Sequence, residues 1–160
     1  MRHRTWTTLL LLLLLSGVIA IPLTREASAQ ADRLDWAARI AEVDRALARG
    51  ETRAVTAAWR EAYVAAHVSR GWPGMLAVGD AALRAGRATG TPEVFEPRAR
   101  RAYLTALLRA RRQASRDGVL AAGEAFGRLG DRDAERLAKS EAAKLAIRAE
   151  ADARRRARAL

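Results

Sequence analysis

Two twelve-residue segments that lie 44 positions apart share six identical residues in register. The first, MLAVGDAALRAG, begins at Met75, and the second, VLAAGEAFGRLG, begins at Val119. A shorter echo precedes each of them, with REAYVAA starting at Arg60 and RRAYLTA starting at Arg100. Recurrence in register is typical of a supersecondary unit that stacks on copies of itself. We therefore expect an internal repeat and not a single irregular core.

The residue types of these units indicate helices. Ala, Leu and Arg dominate the chain and rank highest in helix propensity, whereas strand-forming residues are scarce. Glycine and proline divide the chain into six segments joined by short turns, so neighbouring helices should be antiparallel. The predicted helices run from about Asp32 to Arg49, from Thr52 as N-cap, from Gly74 to Ala88, from near Pro97 to Asp117-Gly118, from there to Gly130, and from the cap Asp131 to the Arg-rich end. The predicted fold class is all-α.

The turn before the sixth helix resembles that of the tetratricopeptide family. The matching residues are Gly123, Phe126, Leu129, Gly130 and Asp131, followed by Ala134 and Ala138. The resemblance implies a short right-handed array of three antiparallel hairpins that binds a protein partner and contains no catalytic residue. A compact six-helix bundle is the alternative. The residues expected to define the repeat are Tyr63, Gly79, Gly86, Tyr103, Gly123, Phe126 and Gly130.

The exposed charges of the repeat suggest a further regularity. Asp80 and Glu124 occupy equivalent positions, and each is followed four residues later by an arginine, Arg84 or Arg128. This spacing and order favour an ion pair within one helix. We therefore expect the two pairs to be structural.

The N-terminal segment has the pattern of a secretory signal peptide. Arg2 and Arg4 precede an apolar run over 9–21, and the small residues Ala27 and Ala29 frame a cleavage site before Gln30. The thirteen-residue run is shorter than the roughly 20 residues of a membrane-spanning helix. We expect residues 1–29 to be a signal peptide and residues 30–160 a single helical domain, periplasmic or extracellular, with a basic C-terminal end. A retained membrane anchor is the alternative.

Most catalytic chemistry lacks the residues that it needs. The chain has no cysteine, and His67 is the only histidine after residue 29, so we expect no disulfide, metal site or cofactor. No serine stands in a nucleophile-elbow motif, and no glycine-rich segment carries a phosphate-loop lysine. Glu93 and Glu96 flank Phe95 in the longest predicted loop and are the candidates for a glycan-active enzyme. We expect the protein not to be an enzyme.

The positive charge suggests an anionic ligand. The net charge of +11 becomes +9 when residues 1–29 are removed. At about 100° per residue, five arginines of the fourth helix fall on one stripe. They are Arg98, Arg101, Arg109, Arg112 and Arg116. Export makes anionic lipid or an envelope polymer a better candidate than nucleic acid, although a solvated face has the same pattern.

Two hypotheses of function follow from these patterns. The first is a non-enzymatic exported scaffold that binds a protein or peptide in the cell envelope through a groove between hairpins. The second is a binder of anionic lipid or polymer that uses the arginine stripe.

Overall fold

A computed structural model describes residues 35–159, and these residues form six helices and no strand. The helices are α1 (35–48 within this range), α2 (Thr52–Val68), α3 (Trp72–Thr89), α4 (Pro92–Arg112), α5 (Arg116–Arg128) and α6 (Arg132–Arg158). The all-α prediction is confirmed. The predicted signal peptide and the start of the first helix near Asp32 lie outside the described residues. None of the described helices is both long and apolar enough to cross a membrane.

Consecutive helices pack against each other as antiparallel hairpins. Helix α3 packs most extensively on α4, and α5 packs on α6. Within the α3–α4 pair, Gly86 lies against Phe95 while Gly79 lies against Tyr103, an order of contacts that only antiparallel helices can make. Side chains of α1 reach α2 and α3, where Arg39 pairs with Glu61 and Trp36 lies against Gly74. The described residues thus form a stack of three hairpins.

Each helix from α1 to α5 is followed by a residue with positive φ. Gly50, Gly90 and Gly130 have φ of 70°, 67° and 75°, and are spaced at intervals of 40 residues. Arg70 and Ala114, with φ of 55° and 50°, occupy the turns between hairpins. Successive turn residues are 20, 20, 24 and 16 positions apart. Each hairpin therefore repeats every 40 residues, although α4 has gained one helical turn and α5 has lost one.

This arrangement explains the irregular spacing in the sequence. Tyr63 and Tyr103 each lie thirteen residues after a turn glycine, so they repeat every 40 residues. Gly79 and Gly123 belong to the first helices of their hairpins and follow Arg70 and Ala114 by nine residues each, so they repeat after 44. The predicted alignment of Gly86 with Gly130 joins residues with different roles. Gly86 is buried inside α3, whereas Gly130 is the left-handed residue after α5.

Several predicted helix boundaries were wrong at the proline and glycine positions. Helix α4 begins at Pro92, so Glu93, Phe95 and Glu96 lie in its first turns and not in a loop, and Pro97 is inside the helix. Pro92 suits the first position because that N–H has no helical partner. Phe95 is 2% exposed, and its burial favours continuing the helix despite the hydrogen bond that Pro97 cannot donate.

The other corrections concern helix starts. Helix α2 starts at Thr52 with Glu51 in the cap position, and α3 starts at Trp72. Helix α5 starts at Arg116, where Ser115 Oγ accepts a hydrogen bond from the Gly118 N–H at 3.1 Å. Gly118 therefore lies inside this helix. The ring of Trp72 occupies the space that a side chain at this position would need.

Most of the buried hydrophobic side chains are the methyl groups of alanines. Fifteen of the twenty-five buried hydrophobic residues among residues 35–159 are alanines, and the larger ones include Trp59, Phe95, Tyr103 and Phe126. Trp59 Nε1 donates to the Val78 carbonyl at 3.0 Å, and Tyr103 and Phe126 meet edge to face at 6.0 Å between ring centroids. Small side chains let the helices approach closely. The few aromatic rings between them then fix the register of the helices, because each ring fits at one position.

Glycine allows the closest of these approaches. A Cβ placed on Gly79 would lie 2.6 Å from Tyr103 Cδ1, and one on Gly123 would lie 2.9 Å from Ala138 Cβ. Gly79 and Gly123 are equivalent in the sequence repeat, and each faces the second helix of its own hairpin. The contact is therefore part of the repeated unit.

The expected ion pairs within α3 and α5 were wrong. Arg84 Nη2 contacts Asp44 Oδ1 of α1 at 2.9 Å, and Arg128 Nη2 contacts Asp80 Oδ1 of α3 at 2.6 Å. The long arginine side chains reach the neighbouring first helix because the alanine-rich stack brings these helices close together. The equivalent arginines therefore link one hairpin to the one before it.

We expect Gly79→Ala to reduce the free energy of unfolding by about 1–3 kcal/mol, because the new methyl group would overlap the Tyr103 ring. Gly127→Ala is the matched control, since its Cβ would meet only the flexible end of the Glu135 side chain. This control should be neutral or stabilising by up to about 1 kcal/mol, the usual gain of alanine in a helix. Urea denaturation followed by circular dichroism measures both. Equal stability of the two variants would contradict the close contact.

Candidate functional site

The arginines of the predicted stripe separate into two groups. Arg109 is buried, with 6% of its surface exposed, and Arg98 is half-buried. Arg101, Arg112 and Arg116 are exposed. Helical periodicity predicts all five on one stripe of the fourth helix, but α4 ends at Arg112 and Arg116 belongs to α5, while neighbouring helices cover Arg109 and part of Arg98. A continuous stripe of five exposed arginines is therefore absent from the described residues.

Arg98 packs on aromatic rings. Its guanidinium carbon lies 5.5 Å from the Trp59 ring centroid and 4.9 Å from that of Phe95. Its Nη1 is buried and has no hydrogen-bond acceptor among the described residues. Cations are attracted to the faces of such rings. Arg98 therefore joins α2 to α4, and its role in the fold is structural.

Arg109 caps the C-terminal end of α2. Its Nη1 donates to the carbonyls of Ala66 and Gly71 at 3.0 and 3.1 Å, and its Nη2 donates to the carbonyl of His67 at 2.8 Å. The last carbonyls of a helix lack helical partners and carry partial negative charge. A buried guanidinium provides the hydrogen-bond donors that these carbonyls lack and a positive charge that offsets their partial negative charge.

The other four turns are closed by a backbone hydrogen bond and not by a side chain from another hairpin. After Gly50, Gly90, Ala114 and Gly130, the next residue donates its N–H to the carbonyl five positions earlier, at 2.9 to 3.1 Å. In the Arg70 turn the corresponding carbonyl belongs to Ala66, and it accepts from Arg109 and from Ser69 Oγ. Arg109 thus replaces a local backbone bond with one from another hairpin.

A cleft of about 700 Å³ opens beside this capped end, between α2 and α4. We call it the cationic cleft. Its lining residues are His67, Val68, Arg70, Thr105, Arg109, Arg112 and Gln113. Gln113 Nε2 donates to the Arg70 carbonyl at 3.3 Å, which ties the turn after α2 to the end of α4. No described Asp or Glu lines the cleft.

The sequence patterns identified two of the three arginines that line the cleft. Arg109 and Arg112 belong to the predicted stripe, whereas Arg70 and Gln113 were not considered. Arg70 lies 42 residues before Arg112, so no local pattern joins them. The sequence signal available for Arg70 is its position just before Gly71-Trp72-Pro73-Gly74, which marks a turn.

A second polar cluster links α3, α4 and α5. The Tyr103 hydroxyl donates to Asp80 Oδ1 at 2.7 Å, and Arg128 reaches the same oxygen. Burial raises the pKa of the Tyr103 hydroxyl, and its hydrogen bond to the Asp80 carboxylate raises it further. The cluster satisfies a buried hydroxyl and holds three helices together.

The glutamates considered for glycan chemistry do not both line the pocket beside Phe95. Glu96 lines a pocket of about 320 Å³ together with Arg87 and Arg128, but Glu93 is not among its lining residues. Among residues 35–159 no group of three or more His, Cys, Asp or Glu side chains could hold a metal ion.

The fold and the cleft together define an all-α stack of helical hairpins with a positively charged cleft between two second helices. Comparisons with models of protein families, with curated proteins and with solved structures find no match to this chain.

We expect Arg109→Met to lower the free energy of unfolding by about 2–4 kcal/mol, because three carbonyls would lose a charged donor. Arg112→Met is the control on the same helix. Arg112 is exposed, so this change should alter stability by less than about 0.5 kcal/mol. Chemical denaturation measures both variants. Two equally small effects would show that Arg109 does not cap α2.

Proposed function

We propose that this protein is an exported, non-enzymatic scaffold of tetratricopeptide-like hairpins that binds a protein partner in the cell envelope. The support for the tetratricopeptide-like repeat is the stack of three hairpins and the small-residue contacts at Gly79 and Gly123. The hairpin period of 40 residues departs from the period of about 34 in that family, so the proposal requires units that are larger than the usual repeat.

The observation that carries the proposal is an exposed apolar surface on two second helices. Val64 and Val68 of α2 are 56% and 68% exposed, and Leu104 and Leu108 of α4 are 48% and 45% exposed. We call these four residues the outer surface. Each valine is separated from its leucine by 40 residues, which is the hairpin period. Exposed apolar residues that recur at the same positions of equivalent helices are candidates for a shared binding surface.

The charges beside the outer surface favour an acidic partner. In α6, the positions one further period along are occupied by Lys144 and Arg148. A groove between α4 and α6 contains both of them together with Leu108 and Arg112. Apolar contact would supply the affinity, and the basic rim would select and orient the partner.

The first helices provide a contrast to this surface. Asp44 and Asp80 neutralise Arg84 and Arg128 there, so these charges are already used between hairpins. A partner of the second helices would replace water on apolar side chains and meet Arg112 and Arg148, which form no ion pair with a described Asp or Glu, whereas Lys144 is already paired with Glu141. The outer surface is therefore a better binding site than the first helices.

The proposal predicts site-specific crosslinking in cells that make the protein. A photoreactive amino acid at Val68 or Leu108 should give one adduct of defined mass in the envelope fraction, and the recovered chain should begin at Gln30. The same amino acid at Arg53 or Arg132, both exposed at other places on the stack, should not give that adduct.

Three results would contradict the proposal in whole or in part. Adducts of the same mass and yield at all four positions would indicate random collision. The absence of any adduct at Val68 and Leu108 would indicate that the outer surface has no protein partner. Recovery of the adduct from the cytosol alone would contradict export while leaving the binding surface intact.

A further inference from the structure

The cationic cleft concentrates positive charge that the described residues do not neutralise. Arg70, Arg109 and Arg112 all line it, and none of them forms an ion pair with a described Asp or Glu. The neighbouring groove between α4 and α6 is different, because Glu141 pairs there with Arg111 at 3.1 Å and with Lys144 at 2.8 Å. The cationic cleft therefore differs from this groove, whose positive charge is partly neutralised by Glu141.

The three arginines of the cleft differ in burial and in whether their N–H groups are already hydrogen-bonded. Arg109 is buried, and its Nη1 and Nη2 donate to backbone carbonyls, so it acts as a fixed positive charge at the base. Burial lowers the pKa of its guanidinium, and the positive charges of Arg112 and Arg70 lower it further. The side chains of Arg70 and Arg112 are exposed and can present their N–H groups to a ligand.

A hydrogen bond links the two backbone segments that carry these side chains. Arg70 has a left-handed φ of 55°, and its carbonyl accepts a hydrogen bond from Gln113, the residue next to Arg112. His67 and Thr105 add polar atoms to the lining, and Val68 adds an apolar wall. A guanidinium binds phosphate oxygens through two parallel hydrogen bonds. Two exposed guanidinium groups over a buried positive charge therefore match a multiply charged oxyanion better than a single carboxylate.

We infer that the cationic cleft is a binding site for a phosphate-type oxyanion, held by Arg70 and Arg112 above Arg109. This inference does not rest on the protein partner, although Val68 of the outer surface and Arg112 of its basic rim also line the cationic cleft. The same chemistry occurs in a free phosphate or pyrophosphate and in the phosphomonoester headgroup of a lipid. The proposed site contains Arg109 and Arg112 of the five arginines predicted to form one stripe, and it adds Arg70.

Isothermal titration calorimetry of the purified full chain with inorganic pyrophosphate tests the site. Arg70→Gln and Arg112→Gln should each weaken binding by about tenfold or more, because each removes charged hydrogen bonds to the anion. Arg155→Gln and Arg156→Gln are matched controls, since they remove the same charge from exposed positions at the end of α6. These controls should change the affinity by less than about twofold, as expected for distant screened charges.

A second arm distinguishes the source of the anion. Vesicles of phosphatidylcholine with and without phosphatidic acid are sedimented with the wild-type chain and the same variants. Binding of pyrophosphate alone assigns the cleft to a free anion, and added binding to phosphatidic acid vesicles that depends on Arg70 and Arg112 assigns it to a lipid headgroup. Both results support the site.

Three outcomes would overturn it. They are no binding in either arm, an equal loss of affinity in the cleft and control variants, and an unchanged affinity in Arg70→Gln and Arg112→Gln. Circular dichroism of every variant verifies folding. If either Gln variant is unfolded, a chemical modification experiment on the wild-type chain replaces the titration of that variant. Pyrophosphate should then protect the Arg70 and Arg112 side chains from a guanidinium-modifying reagent, and a lack of protection would overturn the site.

Discussion

Each helix from α1 to α5 is followed by a residue in the left-handed conformation, and the positions of these five residues decide which helical faces meet. Gly50, Gly90 and Gly130 close the hairpins every 40 residues, whereas Arg70 and Ala114 set the lengths of the helices between them. A shift of a turn residue by one position would rotate the following helix by about 100°. The methyl-lined core would then lose contacts such as Gly79 with Tyr103, because close approach tolerates little displacement.

The turn at Arg70 connects this framework to the candidate ligand site. Arg109 satisfies the carbonyls at the end of α2 from a helix in the next hairpin, and the same guanidinium forms the base of the cationic cleft. A buried charge is costly unless it is hydrogen-bonded, and here the end of a helix supplies the acceptors. One side chain therefore joins two hairpins and adds positive potential to the cleft. The outer surface begins at its edge, at Val68.

The sequence predicts the all-α class, the six helices and the glycine turns well, because these depend on local propensity and on glycine's access to positive φ. The helix across Pro97 and the left-handed Ala114 were missed, since tertiary burial and packing outweigh the local preference there. The pairing of Arg84 with Asp44 and the burial of Arg109 depend on residues about 40 positions apart. Helical periodicity describes one helix and contains no information about such neighbours.

The turn framework is tested most directly by the stability of Ala114→Gly. At a φ of 50°, an alanine is strained by about 1–2 kcal/mol, and glycine relieves this at a smaller entropic cost. We expect a gain of about 0.5–1 kcal/mol in the free energy of unfolding by urea. The exposed helical control Ala143→Gly should instead lose about 1 kcal/mol. A loss of similar size in both variants would place Ala114 within a helix and contradict a left-handed turn at this position.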